Sequence, residues 1–389
     1  MGADRIIYFR TDGNSRIATG HLVRTLSIAR ACQRLGMEVC FLLSDEESRE
    51  LLTGFLPDAR REDDSEAYGS EAFSGRLSVK VLKTAVFDDL ERELAEVSFL
   101  LTRISHGAEK PVYFLDSYFV TEKYLLSLQP LAKTAYLDDL QLFDYPVSLL
   151  INYDVITQET LPSYEAAYSN AKKTLLGAAY APVREQFQNR MAPLREAVSD
   201  ILVTTGGSDP FHFCLDLLRT LRTRSSCLSS QEATPVFHIV IGRLNTDSRQ
   251  LHELAKDLPF VTLHENVTDL SFLMRDCDLA VSAAGTTLYE LCALGVPAVS
   301  FTMADNQLTA ARAFADAGAI PCAGDIRGNS GKVIEEILLF VTEMSELCFD
   351  CVPAAPASCL VPRKAARQAM IRLTDGTGAM KIAQALWKL

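Results

Sequence analysis

The sequence has no surplus of basic residues. Lys and Arg number 38 against 50 Asp and Glu, a formal net charge of −12. That argues against nucleic acid as the main partner, because phosphate backbones are bound through a basic excess. A small anionic ligand stays open, since backbone amides at a helix N-terminus can hold one. There is no stretch approaching the ~20 apolar residues of a membrane span. The opening "MGADRIIYFRTDG" reads as a first strand and lacks the apolar core of a signal peptide. The expectation is a cytoplasmic protein with no membrane partner. Paired cysteine motifs are almost missing. Of 10 cysteines, only Cys348 and Cys351 form C-x-x-C, with no second pair or nearby histidine to complete a zinc set. The cysteines therefore read as reduced thiols.

What remains is ordinary globular material. Apolar residues make up 48% and charged residues 23% of 389 positions, enough for two α/β domains. Ile6–Arg10 reads as a buried strand and Thr11–Ser15 as a polar loop. Leu22, Val23, Leu26, Ala29 and Cys32 then recur at helical spacing until Gly36, and Val39–Leu43 is the next strand. This strand-loop-helix-strand unit opens a doubly wound sheet. Asp58–Gly75 reads as a loop and Leu90–Ile104 as a helix. Strands at Val112–Leu115, Thr134–Leu137 and Ser148–Ile151 end at Asp116-Ser117-Tyr118, Asp138-Asp139 and Asn152-Tyr153. Polar residues at strand C-termini point to the crevice where such sheets bind ligands.

Pro182–Arg195 reads as a polar, helical connection, placing the domains at 1–190 and 191–389. The alternation restarts with strands at Ile201–Thr204, Val236–Ile241, Val261–Leu263, Leu279–Ser282 and Ala298–Phe301. Leu270–Arg275 and Leu288–Leu294 read as helices. Ser345–Ala366 reads as irregular, and Leu373–Leu389 ends in a helix able to pack back on the first domain. The expected class is α/β, two Rossmann-like domains facing a cleft.

Two loops of the second half suit a diphosphate. "VTTGGSDP" carries Gly206, Gly207 and Ser208 between a strand and a helix; "VSAAGTTLYELCALGVP" carries Ala284, Gly285, Thr286 and Thr287. Small side chains let phosphate oxygens reach the amides of the helix start. Neither loop has the Lys-Ser/Thr pair of a Walker A motif, which argues against ATP hydrolysis. Each also fits an ordinary tight turn. Glu290 fits either a capping box with Thr287 or an acceptor for ribose hydroxyls. Asp305 fits an N-cap, with Asn306 in the first turn. His264 fits a base contact or a solvent-facing imidazole. His21, at the junction of Gly20 and a helix, fits either a plain helix start or an acid–base group.

The ordered pieces "FRTDGNSRIATGHLVRTLSIA", "FLDSY", "YLDDL", "LLINY", "LLGAAYAPVREQF", "TTGGSDP", "HENVTDLSFLMRDCDLAVSAAGTTLYELCALGVP" and "DNQ" carry a resemblance. Together they resemble the UDP-sugar hydrolase family of pseudaminic acid biosynthesis, whose relatives include spore-coat polysaccharide proteins. Ala18 stands where that family often has glycine. The resemblance implies a glycosyltransferase-B-like fold, with no metal and no cofactor. It implies hydrolysis of a UDP-linked 2,4-diacetamido-2,4,6-trideoxy hexose, water attacking the anomeric carbon with inversion. It places the catalytic histidine on His21, the catalytic-site asparagine on Asn306 and the nucleotide-binding acid on Glu290. Gly20, Arg24, Asp116, Tyr118, Arg184 and Gln307 are further candidate substrate contacts. A small-molecule UDP-sugar is the expected partner of a monomeric chain.

The chemistry is coherent. UDP is a good leaving group, and the loops at 206–208 and 284–287 could stabilise its growing charge. A helix N-terminus and Arg24 disfavour the protonated form of His21, suiting it to deprotonate water. Paired carboxylates among Asp116, Asp138 and Asp139 are the alternative. An inverting glycosyltransferase and a non-catalytic nucleotide-sugar-binding protein are the competing functions.

Overall fold

The computed structural model describes residues 5–389 except 15, 18, 57–60, 63–70, 74–76, 84–88, 105–109, 230–233, 268, 346, 348 and 350–358. Ala18, Cys348 and Cys351 thus lie outside the described residues. The chain divides into two compact units, Met1–Arg184 with Thr377–Leu389, and Glu185–Gly376.

The first unit runs β1 (Ile6–Thr11), α1 (Gly20–Arg34), β2 (Glu38–Leu43), α2 (Glu46–Gly54), β3 (Arg61–Glu62), β4 (Glu71–Phe73), β5 (Leu77–Val81) and α3 (Leu90–Ile104). It continues through β6 (Val112–Asp116), α4 (Glu122–Leu128), β7 (Lys133–Leu137), β8 (Leu149–Asn152), α5 (Leu161–Ala167) and β9 (Thr174–Leu176). The sheet order is β3-β4-β5-β2-β1-β6-β7-β8-β9. Strands β5 to β9 with β1 and β2 pair in parallel; β3 and β4 add an antiparallel edge. At those two short strands this corrects the loop expected at Asp58–Gly75, the rest of which lies outside the described residues.

Parallel strands are covered on both faces, so they read as continuous apolar runs. Every residue of β6 and β8 is buried. Phe9 stacks between Phe41 and Phe114 across three adjacent strands, with ring centroids 5.6 and 5.0 Å away. Of the expected face of α1, Leu22, Leu26, Ala29 and Cys32 are buried and Val23 is half-buried.

The second unit runs β10 (Asp200–Thr204), α6 (Phe213–Thr223), α7 (Ser225–Ser229), β11 (Val236–Ile241), α8 (Ser248–Ala255), β12 (Val261–Glu265), α9 (Ser271–Asp276), β13 (Leu279–Ala283) and α10 (Thr287–Leu294). Then come β14 (Ala298–Thr302), α11 (Asp305–Asp316), β15 (Cys322–Asp325), α12 (Ile326–Met344) and α13 (Leu360–Leu373). Its sheet order is β12-β11-β10-β13-β14-β15, all parallel. The last helix, α14 (Gly378–Trp387), lies in the first unit and packs against α1.

Two further expectations are corrected. Pro182–Arg195 holds only a 3₁₀ turn at Glu185–Phe187, not a longer helix. Pro182 and Pro193 lack the amide a helix needs, and Asn189 takes a left-handed φ of 53°. Conversely, α13 covers Leu360–Ala366, which reads as irregular in the sequence. Its Pro362 sits in the first turn, where the missing amide costs nothing.

Candidate functional site

Each sheet has a switch point, where successive connections leave in opposite directions. In the first it lies between β1 and β6, whose ends pair Thr11 with Asp116. In the second it lies between β10 and β13, which pair Thr204 with Ser282. Ligands bind outside the strand C-termini at such points.

In the first unit, α1 presents His21, Arg24 and Thr25 on one face, because residues three and four apart are neighbours on a helix. All three reach the buried carboxylate of Asp116. His21 Nδ1 lies 2.6 Å from Oδ1. Arg24 donates from Nε to Oδ2 at 2.7 Å and from Nη2 to Oδ1 at 2.6 Å. Thr25 Oγ1 donates to Oδ2 at 2.9 Å. Burial pushes the Asp116 carboxyl up, but Arg24 and His21 outweigh it and hold the group well below the usual carboxylate range. The proton between Asp116 and His21 therefore sits on Nδ1. The 2.9 Å approach of Arg24 Nη2 to Nδ1 is then a contact between two donors. In the neutral ring this tautomer leaves the lone pair on Nε2.

Arg24 continues outward. Nη1 donates to Asp139 Oδ2 at 2.7 Å and to the Tyr153 hydroxyl at 2.8 Å. Burial pushes Tyr153 up to about 12, so it stays a donor at neutral pH. Tyr118 donates its hydroxyl to Asp139 Oδ2 at 3.0 Å and sets its ring edge against His21, 4.5 Å between centroids. Asp12, Ile17, His21, Asp116, Tyr118 and Phe119 help line a cavity of about 10 Å³, on the order of the room one water needs.

Of the alternative carboxylates, Asp138 is bound into its own turn. It accepts from the amides of Leu140 and Gln141 and the hydroxyls of Tyr145 and Tyr168. A two-carboxylate site is thereby reduced to Asp116 and Asp139, both already bound to Arg24. Sequence reasoning missed Asp12, Thr25 and Glu93. Two signals were present: Arg10 interrupts the apolar strand "IIYFRT", and Glu93 shares the buried face of α3 with Val97 and Leu101.

Gly20 is exposed beside His21, and Arg184 is half-buried at the end of the first unit's main segment. The remaining candidates lie in the second unit, after the C-terminal ends of β10, β13 and β14. Gly206, Gly207 and Ser208 follow β10. Gly242 permits the approach of β11 to this turn, since a Cβ there would fall 2.4 Å from Gly206 O. The opening of the helix after this loop is partly occupied. Asp209 already accepts from the amides of Phe213 and Cys214, at 2.9 Å each. The loop Ala284–Thr287 differs. Thr286 caps α10 without a side-chain hydrogen bond. The amides of Leu288 and Tyr289 donate to the carbonyls of Gly285 and Thr286, and those of Ala284 and Gly285 to Phe301 and Ala283. This leaves the amides of Thr286 and Thr287 to a ligand or solvent. Thr287 is already helical, so the capping box with Glu290 is not formed; Glu290 is buried in α10.

Asp305 is likewise the first residue of α11 rather than its cap, and it pairs with Arg327 at 2.7 Å. Gln307 turns back to accept from the Met303 amide at 2.9 Å, while Asn306 is exposed. His264 is half-buried, its Nε2 lying 2.9 Å from His238 Nδ1, and His238 Nε2 lies 2.9 Å from Asp200. Among the described residues, no group of three or more His, Cys, Asp or Glu side chains could hold a metal. Nor is any described helix long and apolar enough to cross a membrane.

Two α/β units, each built on a doubly wound parallel sheet, define a glycosyltransferase-B-like fold. Residues 201–347 match the glycosyltransferase family 28 C-terminal domain. The chain is 26% identical to the spore coat polysaccharide biosynthesis protein SpsG of Bacillus subtilis over 152 residues, 39% of this chain and 42% of that protein. It is 22% identical to an uncharacterized protein of Methanocaldococcus jannaschii over 308 residues, 74% of this chain and 54% of that one. The chain thus spans about half the length of the curated relatives it matches. Among solved structures, a UDP-glucosyltransferase from Polygonum tinctorium superposes with a TM-score of 0.65 at 12% identity, over 100% of this chain and 99% of that one.

Proposed function

We propose that this chain hydrolyses a UDP-linked 2,4-diacetamido-2,4,6-trideoxy hexose to UDP and the free sugar, in nonulosonic (pseudaminic) acid or surface-glycan biosynthesis. The observation that carries the reading is the His21–Asp116 pair, with the imidazole proton on Nδ1 and Nε2 left as a base. Water adds to the anomeric carbon from the face opposite UDP, and its proton passes to Nε2. The bond from that carbon to the diphosphate oxygen breaks, and UDP keeps the electron pair. The Thr286 and Thr287 amides hold the diphosphate charge, aided by the dipole of α10. Glu290 takes the ribose hydroxyls. The likeness to a spore coat polysaccharide biosynthesis protein supports a role in glycan synthesis. An inverting glycosyltransferase is the second reading, favoured by the family 28 domain match; there an acceptor hydroxyl replaces water at the same base.

The test is incubation with a panel of UDP-diacetamido sugars in ¹⁸O-labelled water, followed by NMR. Label in the free sugar is expected, with EDTA having no effect. Label in UDP would sink the proposed bond cleavage. Turnover only with an added sugar or lipid acceptor would select the transferase. His21→Ala and His21→Asn are each expected to lower kcat by about 10²- to 10⁴-fold, the range of a lost general base. Wild-type rates in both variants would remove His21 from the chemistry.

A further inference from the structure

Arg10, Asp12 and Glu93 form a charged cluster that the reaction above leaves unused. Their relative exposures are 1%, 3% and 1%. Glu93 is served on both oxygens: Arg10 Nε donates to Oε1 at 2.9 Å and Nη2 to Oε2 at 3.2 Å, and the Tyr124 hydroxyl adds 2.9 Å to Oε1. Asp12 receives less. Its Oδ2 accepts from Arg10 Nη1 and its Oδ1 from the Ser44 amide, each at 2.7 Å. A carboxylate oxygen offers about two lone-pair positions, so each oxygen of Asp12 keeps one. The cluster also holds two carboxylates against one guanidinium. Arg10 and Glu93 would be neutral by themselves; the second carboxylate adds a desolvation cost with no second cation to offset it.

Asp12 is also the one member of the three that reaches the reaction centre. It shares the cavity of about 10 Å³ with His21, Asp116 and Tyr118. β1 carries it there: Thr11 pairs with Asp116 across the switch point, and Asp12 is the next residue.

We infer that Asp12 holds the attacking water in this cavity, accepting one of its O–H bonds while His21 takes the other proton. The inference rests on the hydrolase reading for its timing, not for its geometry. Water must lose one proton to His21 Nε2 and keep the other until the new C–O bond has formed. An acceptor on the retained hydrogen fixes the direction of the oxygen lone pair. Arg10, clamped by Glu93, keeps Asp12 from turning. Arg10 and Glu93 are positioning residues in this scheme.

Asp12→Asn is the direct test, because it keeps the shape and puts an N–H donor where the water hydrogen was received. The expected result is a kcat lower by on the order of 10²-fold, with KM and the Kd for UDP changed by no more than about twofold. A purely structural Asp12 would lower the melting temperature and leave the kcat of the folded enzyme at the wild-type value, which would overturn the inference. A parallel loss of UDP binding would overturn it too. The second measurement is a high-resolution crystal structure of the wild-type chain. An ordered water within hydrogen-bond distance of both the Asp12 carboxylate and His21 Nε2 is expected; its absence from the cavity refutes the assignment, even if Asp12→Asn fails to fold. If the wild-type chain releases no UDP from any UDP-sugar, the hydrolase reading falls and the attacking water with it, whereas hydrolysis with no water bound at Asp12 overturns this inference alone.

Discussion

Asp116 accepts from three residues of one helix face, and this makes it an acid-sensitive joint. Its folded carboxyl is held below the usual value of about 3.9, so its pairing stabilises the native state above about pH 4. That contribution is lost as pH falls through the lower, folded value. Arg24→Met removes the main opposing charge and leaves a buried carboxylate with His21 and Thr25 alone. The variant should lose on the order of 3–5 kcal/mol at pH 7, as when one partner of a buried pair is removed. Its acid unfolding should begin at higher pH than in the wild-type chain. Urea denaturation at steps from pH 7 to pH 2.5 reads both effects, and coincident acid limbs would mean that Arg24 contributes nothing there. His21, Arg24 and Asp116 were legible because they sit in quotable motifs. Asp12 and Thr25 lie in the same quoted piece as His21 and Arg24 but carry no implied role, and Glu93 lies outside any motif, its partner Arg10 being far away in the chain. Spacing along a sequence carries no record of such pairings.

At the scale of elements, the strands were the most legible parts, since an apolar run bounded by polar residues has few other solutions in a doubly wound sheet. Helix ends were the least. The sequence left caps at Thr287 and Asp305 as open alternatives, yet both residues are already inside their helices, and Asp209 caps α6 from upstream. Proline misled in both directions: Pro362 is tolerated in the first turn of α13, whereas Pro193 helps to prevent a helix around it. The docking of α14 rests on one glycine. A Cβ at Gly378 would lie 2.2 Å from the carbonyl oxygen of Ala181, a backbone atom that cannot swing aside. Gly378→Ala should therefore destabilise the first unit by about 1–3 kcal/mol, the usual cost of overpacking. The measurement is chemical denaturation followed through Trp387 in α14. A midpoint equal to that of the wild-type chain would show that α14 can shift without loss.

At the scale of the whole molecule, the two strand-helix arrays were visible in the sequence because the pattern lapses after Ile151 and restarts at Ile201. The unit to which the last helix belongs was open, since an apolar helical stripe says that a helix is buried but not against what. The division into units makes the nucleotide assignment testable without substrate turnover. All the loops assigned to UDP lie within Glu185–Gly376. A ligand that binds only the native state stabilises it by RT ln(1 + [L]/Kd), about 2.7 kcal/mol at 100 times Kd. With UDP at that excess, amide hydrogen exchange should slow first at Thr286 and Thr287, whose neighbours' amides are already bonded within the backbone. The opening of α6 should respond less, because Asp209 already occupies its amides. Glu290→Gln should weaken UDP binding without removing this pattern, whereas an exchange change confined to the first unit would place the nucleotide elsewhere and overturn the assignment of Ala284–Thr287.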